Sequence, residues 1–395
     1  MAPFRILTFN EISPVGLSRF PADRYVVGHG VAVPDAILLR SHDLRETPVP
    51  ASVRAIARVG VGTNNIPVDA LSARGIPVFS TPGANANAVK ELVVAALLLA
   101  ARNIIPALAY VAGLQRDPPH LAQRIEQEKR QFVGIELPSR VLGIVGLGAI
   151  GGLVADAAIK FGMDVVGFDS EITVEGAWRL PSSVRKARSV EDLLRQSDFV
   201  TVHVPLLDST RHLIDENRLA VMKPGASLLN FAREAIVDED AVLSALRAAR
   251  LRYYICDFPS KRLLGERGFV ALPHLGASTR EAEDNCAVMA VDQLRRFLER
   301  GTISSSVNFP DIEMADADVG RIAIANANVP SMLAQISTAL ARAGLNIHNM
   351  VNRSRGNVAY TLVDIDGSVT PALTDALEAI DGVLSVRAVA GDASA

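Results

Sequence analysis

One stretch constrains this chain more than any other. The apolar run Val141-Leu142-Gly143-Ile144-Val145 is followed at once by Gly146-Leu147-Gly148-Ala149-Ile150-Gly151. A helical pattern over Leu153–Phe161 and a second run, Asp164–Phe168, come next, and that run ends in Asp169. Strand, G-x-G-x-x-G, helix, strand and an acid about 20 residues on predict a dinucleotide-binding βαβ unit. The glycines alone would fit an ordinary strand-to-helix turn. In the full unit, Gly146 permits the tight turn, Gly148 admits a pyrophosphate, and Gly151 lets the helix sit close on the strand. The helix N-terminus brings unpaired N–H groups and a positive dipole end to the phosphates, and Ala149 and Ile150 within the glycine turn are cofactor-binding candidates with it. Asp169 favours NAD, because its carboxylate accepts from a ribose 2′-OH and repels a 2′-phosphate.

At 395 residues the chain is too long for one core and implies two or three domains. Short apolar runs at Arg5–Phe9, Ala36–Leu39, Ala55–Val59 and Val78–Phe79 predict a first small α/β unit. A long helix, Asn87–Arg102, and a helical stretch, Ile105–Arg130, lead into the dinucleotide domain. Further strands are expected at Phe199–Val202, Ser227–Asn230, Tyr253–Cys256 and Phe269–Ala271, with helices between them, which describes a parallel, doubly wound sheet. The helix Glu281–Glu299 would return the chain to the first unit. The expected division is therefore residues 1–98 with 281–310, and residues 99–280. After a linker-like Thr302–Asp311, residues 318–391 read as βαββαβ, a ferredoxin-like order.

A net charge of −3 gives no electrostatic reason to expect nucleic acid or an anionic membrane. Cys256 and Cys286 have neither metal spacing nor a pairing framework, so no metal is expected and a reducing cytoplasm fits. The start, Met1 to Leu7, lacks the apolar core of a signal peptide and reads as a strand. The apolar helix at Leu92–Ala101 is too short to span a bilayer.

Three segments end strands where ligands of open parallel sheets bind: His203-Val204-Pro205, Asn230-Phe231-Ala232-Arg233, and Pro273-His274-Leu275-Gly276. There Arg233 can hold a carboxylate by two parallel bonds, and His274 can exchange a proton near neutral pH. Each alone also fits a surface ion pair or a structural histidine. The turn Arg58-Val59-Gly60-Val61-Gly62 has N–H groups that suit either an anion-binding nest or a plain turn.

Together with Thr81–Leu92 and Pro273–Thr279, these stretches resemble the D-isomer-specific 2-hydroxyacid dehydrogenases over nearly the whole chain. The resemblance implies an NAD-binding Rossmann domain inserted in a flavodoxin-like substrate domain, with a C-terminal ACT-type ferredoxin-like module. It implies NAD-dependent oxidation of D-3-phosphoglycerate to 3-phosphohydroxypyruvate, the first step toward serine, in a homodimer or homotetramer. His274 matches the family's acid/base, and Arg233 the arginine on the substrate's carboxylate and carbonyl. The backbone of Val59, Gly60, Val61 and Gly62 matches carboxylate contacts, and Arg58 a phosphate contact. The glycine turn, Asp169, His203, Val204, Pro205, Ala232, Asp257 and Gly276 fall at the cofactor, Asp257 near its carboxamide. The ACT module implies a serine effector, for which Asn326, Asn328 and Asn346 are candidates, although Ser331 stands where many ligand-binding members have glycine.

The family's catalytic glutamate is missing from Asp257-Phe258-Pro259-Ser260-Lys261-Arg262. Glu266 is the nearest glutamate downstream and the candidate partner of His274, with a water or a backbone carbonyl as the alternative; Lys261 and Arg262 are expected to face solvent. The alternatives are the same chemistry on another D-2-hydroxy acid, or an NAD-sensing protein without catalysis.

Overall fold

A computed structural model describes residues 2–114, 120–315 and 320–389. The chain divides into two compact units, residues 1–85 with 280–395, and residues 86–279. The first boundary lies before the helix Ala86–Ala101 rather than at residue 98, because Val89, Val93, Ala96 and Leu97 of that helix pack into the core of the second unit. No single helix among the described residues is long and apolar enough to cross a membrane.

In the first unit, β1 (Phe4–Thr8), β2 (Tyr25–Gly28), β3 (Ala36–Leu39), β4 (Ala55–Arg58) and β5 (Val78–Phe79) form a parallel sheet ordered β2-β1-β3-β4-β5. That is the flavodoxin-like order. The edge strand β2 is the one the sequence pattern does not announce. The 21-residue helix Arg280–Arg300 lays Cys286, Ala287, Ala290, Val291, Leu294 and Phe297 on this sheet.

In the second unit the expected helical stretch 105–130 is two helices, Ile104–Ala112 and Leu121–Glu128; positions 115–119 within it lie outside the described residues. The strands are β6 (Val141–Val145), β7 (Asp164–Phe168), β8 (Arg185–Lys186), β9 (Phe199–Val202), β10 (Ala226–Asn230), β11 (Leu251–Cys256) and β12 (Phe269–Ala271). Their order is β12-β11-β10-β9-β6-β7-β8, all parallel, a Rossmann sheet with a seventh strand. Every residue of β9 and β10 is buried, as a sheet covered on both faces requires. The strand order reverses at β6 and β9, so the carboxyl ends of these strands frame the ligand crevice.

Residues 320–389 return to the first unit. β13 (Gly320–Ala327), β14 (Ile347–Arg355), β15 (Val358–Ile365) and β16 (Val383–Val389) form an antiparallel sheet ordered β14-β15-β13-β16. The helices Met332–Arg342 and Pro371–Glu378 cover one face. On the other, Ala323, Ala325, Tyr360, Leu362 and Val389 join the core around helix Arg280–Arg300. The ferredoxin-like region is thus continuous with the first unit rather than a separate body. The outer limits expected for it, residues 318 and 391, lie outside the described residues.

Candidate active site

The glycine turn after β6 is built from contacts that only glycine allows. Gly146 has φ +94°, and a Cβ there would meet the His203 carbonyl at 2.8 Å. A Cβ on Gly151 would lie 2.0 Å from the Gly146 oxygen. Around Gly148 a Cβ would meet nothing within 4 Å, so the N-terminus of helix Ala149–Lys160 opens onto free space. No side chain caps that terminus, which leaves the first-turn N–H groups to a ligand. Asp169 is tied to the same turn: its carboxylate accepts from Leu147 N–H at 2.7 Å and Glu171 N–H at 2.8 Å. It sits where a ribose would follow a pyrophosphate bound at Gly148. His203 and Val204 wall the turn from β9. The His203 Nε2 meets Thr201 Oγ1 at 2.9 Å, while its Nδ1 is buried without a partner. Burial lowers its pKa to about 3, so the ring is neutral at physiological pH. These residues fit a dinucleotide.

Arg233 and His274 follow the carboxyl ends of β10 and β12, both exposed. Neither loop is free to wander. Asn230, fully buried, donates from Nδ2 to the Arg233 carbonyl at 2.9 Å and accepts from Ala232 N–H at 3.1 Å. Asp257 does the same for His274. Only 1% exposed, it accepts from Leu275 N–H at 2.7 Å and Gly276 N–H at 2.6 Å, one on each carboxylate oxygen. Its carbonyl also accepts from the His274 N–H at 3.1 Å, and His274 itself holds φ +57°. The Phe258 ring meets the imidazole edge-on, 5.3 Å between centroids. Asp257, expected at the cofactor carboxamide, is therefore bound to Gly276 and fixes the histidine loop.

Glu266 is not the partner of His274. It precedes β12 while His274 follows it, so the strand separates them, and its carboxylate is held by Arg247 Nη2 at 2.5 Å. That hydrogen bond also draws its pKa below the usual carboxylate range. Lys261 is exposed, and Arg262 pairs with Asp240.

The first unit has its own strand-end constellation. β3 and β4 pair with Leu39 opposite Arg58, so Arg40 and Arg58 emerge side by side. The Arg58 Nε donates to the Arg40 carbonyl at 3.1 Å, and Arg40 is paired with Glu283 at 2.7 Å. Arg40 escaped the sequence reading; its signal was a cation one residue past a buried strand. Gly60, φ +139°, exchanges hydrogen bonds with Thr81: its N–H donates to Thr81 Oγ1 at 2.9 Å, and its carbonyl accepts from Thr81 N–H at 3.0 Å. The Val59 N–H donates to the Leu39 carbonyl. Of the expected nest, only the N–H groups of Val61 and Gly62 stay without a partner among the described residues.

The asparagine candidates do not converge within one chain. Asn326 is buried, its Nδ2 donating to the Ala327 carbonyl. Asn328 follows β13 and donates to the Gly356 carbonyl, whereas Asn346 precedes β14, at the opposite end of the sheet.

Residues 94–276 match the family model described as D-isomer specific 2-hydroxyacid dehydrogenase, NAD binding domain. A D-3-phosphoglycerate dehydrogenase of Haemophilus influenzae is 32% identical over 83% of this chain and 79% of its own length. Another from Methanocaldococcus jannaschii is 34% identical over 74% of this chain, which spans about half (52%) of that protein. In fold the chain is similar to the NAD-bound 3-phosphoglycerate dehydrogenase of Entamoeba histolytica, with TM-score 0.60, 24% identity, and coverage of 78% of this chain and 99% of that one. Fold and site define an NAD-dependent dehydrogenase. The chain belongs to the D-isomer specific 2-hydroxyacid dehydrogenase family.

Proposed function

We propose that this protein oxidises D-3-phosphoglycerate to 3-phosphohydroxypyruvate, the first step toward serine. Bound NAD supplies the hydride acceptor. His274, held by the Asp257 latch, takes the proton of the substrate hydroxyl. Arg233 holds the carboxylate and the nascent carbonyl with paired donors. Val61 and Gly62 offer N–H groups to the carboxylate, and Arg58 with Arg40 takes the phosphate. The observation that supports this substrate is the placement of Arg40 and Arg58 side by side at the ends of adjacent strands, two guanidinium groups whose planar donor forks suit a phosphate. In a reducing cytoplasm the buried Cys256 and Cys286 remain thiols. Following NADH absorbance tests the reading. D-3-phosphoglycerate should exceed D-lactate in kcat/KM by roughly 10⁴-fold, the scale on which a site built for a polar group rejects its absence. Comparable rates with D-lactate or D-glycerate would indicate another hydroxy acid; no turnover with any would indicate an NAD sensor.

The ferredoxin-like region supports a second reading, a serine site between copies of a homodimer or homotetramer. Asn328 and Asn346 lie at opposite ends of one sheet, so a small zwitterion can touch both only where two such sheets meet side by side. Calorimetry with millimolar serine tests it. Binding lost in Asn346→Ala supports the reading, and no heat together with unchanged activity removes it.

A further inference from the structure

A recess of about 840 Å³ opens in the second unit at the amino ends of β6, β9, β10, β11 and β12. It lies at the foot of the sheet, opposite the glycine turn, Arg233 and His274. A five-residue strand is roughly 16 Å long, so a small ligand in the recess cannot reach Gly148. The volume is that of an ordinary small-molecule site.

Its charge is lopsided. Arg140, Lys223, Arg247, Arg252 and Arg267 line it, against two carboxylates, Asp198 and Glu266. Both acids are already matched. Lys223 Nζ lies 3.0 Å from Asp198 Oδ1, whose other oxygen accepts from Val141 N–H at 2.8 Å, and Arg247 holds Glu266. Three guanidinium groups remain. Arg252 donates to the neutral amide oxygen of Asn103 at 2.8 Å. The side chains of Arg140 and Arg267 make no hydrogen bond or ion pair among the described residues. A chain of net charge −3 thus surrounds one concavity with three uncompensated cations. Cations of one sign gathered along a concavity raise the local positive potential there.

The geometry also sets the kind of anion. Arg140 enters β6 and Arg267 precedes β12, four strand spacings away in the sheet, about 19 Å at the backbone. Even with long side chains, one phosphate cannot satisfy both. We propose that this recess binds a small polyanion carrying two or more phosphate or carboxylate groups, held by the planar donor forks of Arg140, Arg252 and Arg267. The site is independent of the hydroxy acid and the cofactor.

Calorimetry on the full chain, saturated with NADH to block the cofactor turn, tests this with three probes: tripolyphosphate, citrate and orthophosphate. Tripolyphosphate or citrate should bind once per chain, at least tenfold tighter than orthophosphate. Whichever of the two is tighter identifies the anion as oligophosphate or polycarboxylate. The double variant Arg140→Ser/Arg267→Ser should weaken that binding at least tenfold with turnover unchanged, while Arg140→Lys/Arg267→Lys keeps part of it. Equal affinity in the wild type and the serine variant would overturn the proposal. So would the absence of binding by any polyanion in the NADH-saturated protein.

Discussion

At Gly60 and at Gly146 a parallel strand gives way to a glycine with positive φ, and the two turns present different groups to a ligand. After β6 the chain runs straight into a helix. Its N-terminus is uncapped, and the space beside Gly148 is empty of protein, so backbone dipoles are left for a ligand. After β4 no helix follows directly. The Gly60 N–H is spent on Thr81, and the cations come from side chains, Arg58 and Arg40, bound to each other and to Glu283. The first arrangement suits a diphosphate that must lie flat on backbone. The second suits a terminal phosphate reached by long side chains. In the proposed function the chemistry falls to neither, but to Arg233 and His274 on the loops after β10 and β12.

That contrast can be broken at four levels. The largest effect belongs to the proton carrier. His274→Ala should lower kcat by about 10²- to 10⁴-fold while NADH affinity, read by fluorescence titration, stays near the parental value. Next come the two turns. Gly151→Ala puts a Cβ 2.0 Å from the backbone oxygen of Gly146, so the helix terminus must move. NADH binding should fall roughly 100-fold, the penalty typical of a 1 Å misplacement. Gly60→Ala instead strains φ +139° and presses on the end of a flexible arginine. At about 1–3 kcal/mol of strain it should raise KM for the hydroxy acid roughly tenfold and leave NADH binding alone. If both variants damage the same constant, the two turns do not have separate ligands.

The turn after β6 was legible in the sequence because every part of it is local. Glycines, helix and Asp169 lie within 24 consecutive positions, and the physics of a tight turn needs no knowledge of the rest. The groups that hold the loops of Arg233 and His274 were not. Asp257 fixes Leu275, 18 residues on, and Asn230 fixes Arg233 from a position that looks like any strand end. Their roles appear only when buried polar atoms are matched to partners. Arg40 was missed for a similar reason, since its neighbour Arg58 is set by the register of β3 and β4. Glu266 was misplaced because closeness in sequence was read as closeness in space, and β12 lies between.

Within the cofactor turn, Asp169 carries a smaller effect. It already accepts from two backbone N–H groups, so its orientation is fixed before any ribose arrives. Hydrogen bonds to a charged group contribute about 1.5–3 kcal/mol each. Asp169→Ala should therefore cut the NAD:NADP ratio of kcat/KM by about 10- to 100-fold, chiefly by weakening NAD. A ratio unchanged from the parent would place the ribose elsewhere.

The smallest effect is expected at Glu266, and it separates the foot of the sheet from its carboxyl edge. Arg247 holds this carboxylate at the amino end of β12, while His274 lies beyond the other end. Glu266→Gln should leave kcat and the histidine limb of the pH–rate profile where they are. Stability is another matter. The pair lowers the carboxyl pKa in the folded chain, so what it adds is present above the unfolded carboxylate pKa and lost as pH falls through the folded one. The variant lacks that contribution at every pH. Its Tm should lie slightly below the parental value at neutral pH, since an exposed pair of this kind is weak, and the two values should converge in acid. A shifted histidine limb in Glu266→Gln would mean that the foot of the sheet does reach the proton carrier. In its absence, the Asp257 latch and the Phe258 ring are what orient His274, and the loop rather than a carboxylate partner sets the base.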